Sequence, residues 1–295
     1  MPASPSASST PFKKNLSLEK RMQDSIGEMP ATEQRIAELL LHSPGLLVTH
    51  TATELAALAA TSKAAVSRFI HRLGYRSFTE ARRQARQAQD WGSPLYLGQE
   101  PQDQPSSLVA KWAQHAMSDN ANLDKTQRAQ DRETLSFSIE RLAKARRVVC
   151  LGYRNSALHA RYAATQLTLL RDDVTLSTDT SDHLATTLYG LDQEDLVMVV
   201  ALRRRVPLLL QALDLLEDQG VPVLLITDPS GLAIAKRSHH VLTCHCQSNG
   251  LFDSYAASMS LLNFLINETA QTLGQSARAR LRDIEALHQN LDDLV

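Results

Sequence analysis

The pattern of apolar and polar positions changes character near residue 147 of the chain. Before it, apolar residues recur at the three- and four-residue spacing of amphipathic helices. After it, short apolar runs alternate with amphipathic stretches, which predicts strands over 148–152, 174–178, 196–202, 221–226 and 240–246 and helices over 155–170, 181–189, 206–219, 230–237 and 253–273. Five strand-helix repeats predict an α/β domain with a five-stranded parallel sheet, helices on both faces and right-handed crossovers.

Within the helical part, residues 53–75 predict two short helices joined by a tight turn. Their apolar faces are expected to pack together, and they consist of Leu55, Ala56, Leu58 and Ala59 in the first helix and Val66, Phe69, Ile70 and Leu73 in the second. This pattern is typical of a helix-turn-helix, although a core helical hairpin also produces it.

The outer face of the second helix is basic and lacks carboxylates. Its residues are predicted to be Ser62, Lys63, Ala65, Ser67, Arg68, His71 and Arg72. An ordinary surface helix usually mixes both charge signs. Arginine, lysine and serine side chains bind phosphates and base edges, so this face is a candidate nucleic-acid interface.

Flanking segments define the expected domain organisation. Helices over 18–28 and 32–41 would complete a small bundle, and a further helix is predicted from 78 toward 89. The segment 91–105 contains three prolines and two glycines and is predicted to be a linker. The predicted parts are a disordered tail over 1–15, a helical DNA-binding domain over 16–90, a linker over 91–107 and an α/β domain over 108–295.

Composition agrees with two ordinary globular domains. The chain has 295 residues, 43% of them hydrophobic, a mean hydropathy of -0.24 and a net charge of -1. Between residues 62 and 90, however, seven basic residues stand against two acidic ones. The longest apolar runs are far shorter than the roughly 20 residues of a membrane span, and three cysteines, an odd number, favour a reducing compartment. A cytoplasmic protein without membrane contact is therefore expected.

The helical part resembles the N-terminal domain of the RpiR family of bacterial transcription regulators. The resemblance covers roughly residues 18–86 and depends on LA at 55–56, TSKAAVSRF at 61–69 and LGYRSF at 73–78. Ala65 stands where a threonine is common in that family. The resemblance implies binding of double-stranded DNA at a pseudo-palindromic operator, with contacts from Ser62, Lys63, Ala65, Ser67, Arg68, Arg72 and Arg76.

The second half resembles the SIS (sugar isomerase) domain that follows in RpiR-type regulators. The resemblance spans about 138–273, with VVCLGYRNS at 148–156, DLVMVVA at 195–201 and VLLITD at 223–228. It implies that the loops after the first and third strands hold a phosphorylated sugar. The third-strand loop of the family is rich in serine and threonine, whereas this chain has ALRRRVP at 201–207.

Three arginines just before a helix change the expected ligand chemistry. Free N–H groups at a helix N-terminus and guanidinium groups both favour anions. An anionic effector, a sugar phosphate or a carboxylate, is predicted, with contacts from Arg154, Asn155, Ser156, Arg203, Arg204 and Arg205. The alternative is a solvated or interfacial cluster that pairs with Asp179 or Asp182 of a neighbouring subunit.

A metal site is not predicted, although five potential ligands lie close together in the sequence. They are His239, His240, Cys244, His245 and Cys246. On a strand, Cys244 and Cys246 point to one face and His245 to the other, so one ion does not collect all three. Small thiols in the core of an edge-region strand are the simpler interpretation.

Catalysis and cofactor binding are not predicted either. Glu194, Asp195, Asp228 and Asp253 lie near strand ends, yet none stands in a catalytic motif, and phosphate-loop and dinucleotide fingerprints are absent from the sequence. The expected protein is a homodimeric or tetrameric regulator. Two alternative functions remain. One is a SIS-type sugar-phosphate isomerase-like enzyme, and the other is a DNA-binding protein whose SIS domain binds no ligand and serves oligomerisation.

Overall fold

The computed structural model describes residues 16–90, 96, 107–178, 183–236, 238 and 240–292. It divides into two compact units, one on each side of the boundary between Gln104 and Pro105. The predicted tail over 1–15 lies outside the described residues, and so do residues 91–95 and 97–106 of the predicted linker.

The first unit is entirely helical in its described part. Its helices are α1 (Leu18–Ser25), α2 (Ala31–His42), α3 (Leu46–Thr49), α4 (Ala52–Leu58), α5 (Lys63–Arg72) and α6 (Phe78–Asp90). The one-turn helix α3 was not predicted, because the preceding residues Pro44 and Gly45 are of types that usually interrupt a helix. The chain instead resumes a helix directly after that pair.

A single hydrophobic core holds these helices together. It includes Phe69, Ile70 and Leu55, all fully or almost fully buried. The predicted apolar face of α5 is confirmed. The predicted face of α4 is wrong at one position, because Leu58 is 53% exposed while its neighbour Ala59 is buried.

The second unit is an α/β domain. Its helices are α7 (Leu108–Arg128), α8 (Arg132–Lys144), α9 (Ser156–Thr168), α10 (His183–Leu188), α11 (Pro207–Asp218), α12 (Leu232–Ala235), α13 (Ala256–Leu273) and α14 (Gln275–Leu291). Its strands are β1 (Val148–Gly152), β2 (Val174–Ser177), β3 (Leu196–Ala201), β4 (Val223–Thr227) and β5 (His240–Thr243). The strands form one sheet in the order β2-β1-β3-β4-β5, and every pair is parallel. The predicted architecture is confirmed.

Both faces of the sheet are covered, as the continuous burial of its strands requires. Side chains alternate along β1, so Val148 and Cys150 pack with α8, α9 and α13, whereas Val149 and Leu151 pack with α10 and α11. The strand order places β1 beside both β2 and β3. The helices that follow β1 and β3 therefore leave to opposite faces. The region between them, beyond the carboxyl ends of the strands, corresponds to the crevice in which open parallel sheets bind ligands.

The opposite end of the sheet is fixed by a buried carboxylate. Asp195 is fully buried, and its oxygens accept hydrogen bonds from the Arg146 side chain, the Arg147 backbone and the Asp192 backbone. Burial alone would raise the pKa of this carboxyl, but the arginines and backbone N–H groups outweigh it and hold the pKa well below its usual range. Among the described residues, no helix combines the length and apolar character that crossing a bilayer requires.

Candidate DNA-binding and effector sites

The N-terminus of α5 is set by a sharp turn and a side-chain cap. Ala60 adopts the left-handed conformation at φ 48°, which reverses the chain after α4. The Ser62 hydroxyl then accepts a hydrogen bond from the Ala65 backbone at 3.1 Å. Ser62 therefore caps α5, and α4 and α5 form the helix-turn-helix that the sequence predicted.

Most of the predicted DNA contacts lie on the outer face of this unit. Lys63, Ser67, Arg68 and Arg76 are exposed, together with Ser62. The prediction for Ala65 is wrong, because Ala65 is 1% exposed and belongs to the core. It lies one helical turn before Phe69, a spacing that already indicated the buried face.

Two exposed residues were left out of the predicted contacts. Ala64 occupies the outer position that had been assigned to Ala65, and His71 lies one turn after Ser67 and Arg68. The sequence had already placed His71 on the outer face, and its four-residue spacing from Ser67 indicated that it belongs among the contacts.

Arg72 has a partner within its own domain. Its Nε donates to Glu33 Oε2 at 2.6 Å, and the Glu33 side chain is only 3% exposed. A buried carboxylate requires a nearby cation, so this pair joins α5 to α2. Arg72 therefore positions the recognition helix, and it is not retained among the proposed DNA contacts.

The C-terminal end of α5 is held from several sides. Gly74 has a φ of 85°, and the Tyr75 backbone donates to the Ile70 carbonyl at 3.2 Å, a Schellman-type ending. Arg21 donates to the Leu73 carbonyl at 2.9 Å and lies over the Tyr75 ring. Burial raises the pKa of the Tyr75 phenol to about 12, so the hydroxyl stays protonated and donates to Gln84 at 2.7 Å.

In the second unit, the loops after β1 and β3 meet at the carboxyl end of the sheet. The Ser156 hydroxyl accepts a hydrogen bond from the Leu202 backbone at 3.1 Å and thereby links the two loops. Ser156 is buried, whereas Arg154 and Asn155 before it are exposed. The structure thus uses the Ser156 hydroxyl inside the domain and leaves the other two side chains accessible.

The Arg203 side chain lies between the carboxylates of Asp228 and Asp253. It lies 3.6 Å from Asp228 and 3.1 Å from Asp253, and the Arg203 backbone N–H donates to Asp228 at 2.7 Å. Arg203 and Arg154 both adopt positive φ, 57° and 56° respectively. Such strained backbone in non-glycine residues concentrates at ligand sites and switch regions.

Arg205 is largely buried, and all three of its guanidinium nitrogens donate hydrogen bonds. Its guanidinium donates to the Ala201 carbonyl at 2.9 Å, to Ser230 at 3.1 Å and to Thr227 at 3.0 Å, and it also pairs with Asp228. Burial lowers the pKa of Arg205, and the Asp228 carboxylate acts against that shift. The expected effector contact of Arg205 is therefore not supported by its placement, because its donors are used to fasten β3 to the turn after β4.

Arg204 and Arg154 are the accessible cations of this crevice. Both are exposed, and within the described part of the chain neither forms an ion pair. Among the described residues, the four arginines Arg154, Arg203, Arg204 and Arg205 stand against Asp228 and Asp253, which leaves an excess of positive charge in this part of the crevice. Asp179 and Asp182, the suggested partners from a neighbouring subunit, lie outside the described residues.

Two further residues lie in the crevice that were not among the predicted effector contacts. Asp253 faces Arg203, and the Tyr255 hydroxyl is 3.5 Å from the Asn155 amide. Burial raises the pKa of Asp253, while the Arg203 charge opposes the shift. Both residues follow β5, and the rule that ligands bind at the carboxyl ends of parallel strands pointed to this connection as well.

The cysteine and histidine cluster is part of the core. Cys244 and Cys246 are both buried in the same hydrophobic cluster, and burial raises the pKa of Cys244 to about 12. The predicted strand over 240–246 is too long, since β5 ends at Thr243. Across the described residues no group of three or more His, Cys, Asp or Glu side chains converges on a point, and His239 lies outside them.

Comparison with known proteins identifies both domains. The rpiR-family helix-turn-helix domain matches residues 16–89, and the SIS domain matches residues 141–268. The chain is therefore of the RpiR type, because it joins an rpiR-family helix-turn-helix domain to a SIS domain. It is 25% identical over 246 residues to an uncharacterised HTH-type transcriptional regulator of Bacillus subtilis, YbbH. The aligned region covers 81% of this chain and 83% of the relative.

Solved structures agree with this assignment. The sugar isomerase domain of an RpiR transcription factor from Sphaerobacter thermophilus is 27% identical in sequence and superposes with a TM-score of 0.56. The match covers 59% of this chain and 97% of the Sphaerobacter chain. The Vibrio vulnificus NanR protein, solved in complex with ManNAc-6P, is 19% identical, covers 93% of this chain and 99% of its own, and also has a TM-score of 0.56. The likeness to NanR concerns the fold.

Proposed function

We propose that the protein is a transcriptional regulator that binds double-stranded DNA through α5 and an anionic effector at the carboxyl end of its SIS sheet. The observation that carries this proposal is the combination, in one chain, of an exposed basic helix in a helix-turn-helix with an arginine-rich ligand crevice. The relatives named as HTH-type regulators and the sugar-phosphate complex of NanR support it.

The DNA contacts in this proposal are a revised set. Lys63, Ser67 and Arg68 face the bases or phosphates of the major groove, Ser62 touches phosphate, and Arg76 anchors the backbone outside the groove. In a homodimer or tetramer, two copies of α5 would enter successive major grooves of a pseudo-palindromic site.

Replacing Arg68 by alanine is expected to weaken binding to the best DNA sequence by about 1 to 3 kcal/mol, if its guanidinium reads a guanine. The measurement is a fluorescence anisotropy titration with labelled duplexes at fixed salt. Arg128→Ala is the matched control, because Arg128 is an exposed arginine in the other unit and pairs only locally with Asp124. Loss of affinity that is equal for every DNA sequence would assign Arg68 to a phosphate.

The effector chemistry follows from the two accessible guanidinium groups. Arg154 and Arg204 together suit a group with two negative charges or two separate acidic groups, because each fork binds carboxylate or phosphate oxygens. Asn155 and the Tyr255 hydroxyl add neutral hydrogen-bonding groups that suit sugar hydroxyls. The proposed effector is therefore a sugar phosphate or a hydroxylated carboxylate.

Replacing Arg204 by alanine is expected to weaken effector binding about 10- to 100-fold, the usual consequence of losing a hydrogen bond between charged groups. Isothermal titration calorimetry with compounds that raise the melting temperature of the wild-type protein measures this. Arg278→Ala on α14 is the control, since Arg278 is also exposed. Unchanged affinity in Arg204→Ala would move the ligand site away from this crevice.

The experiment that tests the whole proposal is a DNA-binding titration against the upstream region of the protein's own gene, repeated with phosphorylated sugars and carboxylates. Specific binding that one metabolite alters is the expected result. Specific binding that no metabolite alters would favour an oligomerisation role for the SIS domain. Turnover of a phosphosugar without specific DNA binding would favour the enzyme alternative.

A further inference from the structure

His71 is an exposed residue of α5 whose hydrogen-bonding state is fixed by the fold. Its Nδ1 atom lies 3.1 Å from the backbone carbonyl oxygen of Tyr75. A carbonyl oxygen only accepts hydrogen bonds, so Nδ1 must carry the proton. In the neutral ring the other nitrogen, Nε2, is then an acceptor.

The carbonyl that fixes this ring is itself rigid. The turn at Gly74 folds the backbone over the last turn of α5, where the Gly74 N–H donates to the His71 carbonyl at 2.9 Å. The Tyr75 side chain is buried, bonded to Gln84 and stacked under Arg21. The Tyr75 carbonyl therefore keeps its direction unless the end of the helix comes apart.

His71 also lies on the same face of α5 as the proposed DNA contacts. It follows Ser67 by four residues and Arg68 by three, spacings that place side chains next to each other on a helix. All three side chains are exposed. A helix that presents Ser67 and Arg68 to the major groove thus presents His71 to it as well. The Tyr75 carbonyl occupies Nδ1, so Nε2 is the ring nitrogen left to contact a base.

We infer that His71 is a specificity-determining residue that reads an adenine or a cytosine through Nε2. In the major groove only adenine N6 and cytosine N4 donate hydrogen bonds, whereas guanine N7 and O6 and thymine O4 accept them. A fixed acceptor therefore favours adenine or cytosine at one position of each half-site and disfavours guanine and thymine there. This inference rests on the proposed DNA-binding function.

Three variants separate base reading from helix stability. His71→Asn keeps an amide donor close to the Nδ1 position but has no atom at Nε2. His71→Gln reaches the Nε2 position with an amide that can accept, and His71→Ala removes both groups. His42→Ala is the control, because His42 is an exposed histidine at the end of α2.

The test selects duplexes from a randomised pool and then measures affinities for the four bases at each position. The wild-type protein should prefer adenine or cytosine at one position per half-site, by about 3- to 10-fold, the value of one neutral hydrogen bond. His71→Ala and His71→Asn should lose that preference and keep the others, while His71→Gln should keep part of it.

Circular dichroism melting shows whether each variant is folded. If folded His71→Asn still selects the same bases at every position, or loses affinity equally for all four bases, His71 does not read a base and the inference is overturned. If the wild-type protein binds no DNA specifically, the DNA-binding proposal itself fails, which is a different outcome.

Discussion

Replacing Asp228 by alanine is expected to lower the free energy of unfolding of the SIS domain by about 3 to 5 kcal/mol, the usual cost of removing one partner of a buried ion pair. Asp228 is 1% exposed and pairs with both Arg203 and Arg205. Without it, the guanidinium of Arg205, which is 10% exposed, would be a buried charge without a carboxylate partner.

Removing the Asp228 carboxylate would also remove hydrogen bonds to two backbone N–H groups. One Asp228 oxygen accepts from the Arg203 N–H at 2.7 Å, and the other accepts from the Ser230 N–H at 3.1 Å. The loops after β3 and β4 would therefore loosen together, and anion binding in the crevice should weaken as well. Asp228→Asn should be milder, because an amide still accepts hydrogen bonds although it carries no charge.

Urea unfolding followed by circular dichroism measures this prediction. Asp172→Ala is the matched control, since Asp172 also pairs with an arginine, Arg280, but is 80% exposed. An exposed ion pair contributes about 1 kcal/mol or less. Similar small losses in both variants would show that the Asp228 cluster contributes little to stability.

Replacing Phe69 by alanine is expected to destabilise the helical unit by about 3 to 5 kcal/mol and to abolish DNA binding, because truncating a core aromatic residue leaves a cavity. Phe69 is fully buried between α5 and the rest of the bundle. The core of the SIS domain contains none of the same residues, so its unfolding transition should stay where it is in the wild-type protein.

Differential scanning calorimetry separates the two transitions, and anisotropy measures the DNA affinity. Leu58→Ala is the control, because it truncates a leucine of the same helix-turn-helix that is half exposed, and it should cost about 1 kcal/mol or less. A shift of both transitions in Phe69→Ala would mean that the two units do not unfold independently.

The sequence was sufficient for the fold because its signals are local. Alternation between apolar runs and amphipathic helices predicted all five strands, and the prediction for 148–152 coincides with β1. Errors concerned where helices begin and end, because local chemistry competes there with periodicity. The one-turn helix α3 was missed, and the β5 strand is shorter than predicted. Such local chemistry is visible at α8, where Asp131 caps the helix by accepting from the Thr134 backbone at 2.7 Å.

The sites were less predictable because their partners are distant in sequence. Arg72 and Glu33 are 39 residues apart, and Arg205 and Asp228 are 23 apart. Nothing in the local pattern distinguishes an arginine that will meet a buried carboxylate from one that stays in solvent. The sequence identified the loops that form the crevice. Only the three-dimensional arrangement showed that Arg203 and Arg205 pair with carboxylates of the domain whereas Arg204 is exposed.

The buried Arg205 also constrains which residues its surroundings can carry during evolution. Gly231 packs so closely that a Cβ there would collide with the Thr227 hydroxyl and with the Arg205 guanidinium. Arg205, Thr227 and Gly231 are therefore expected to vary together across related proteins. Relatives that retain the arginine should also retain the glycine, whereas those that place a small side chain at position 205 have room for a larger one at position 231.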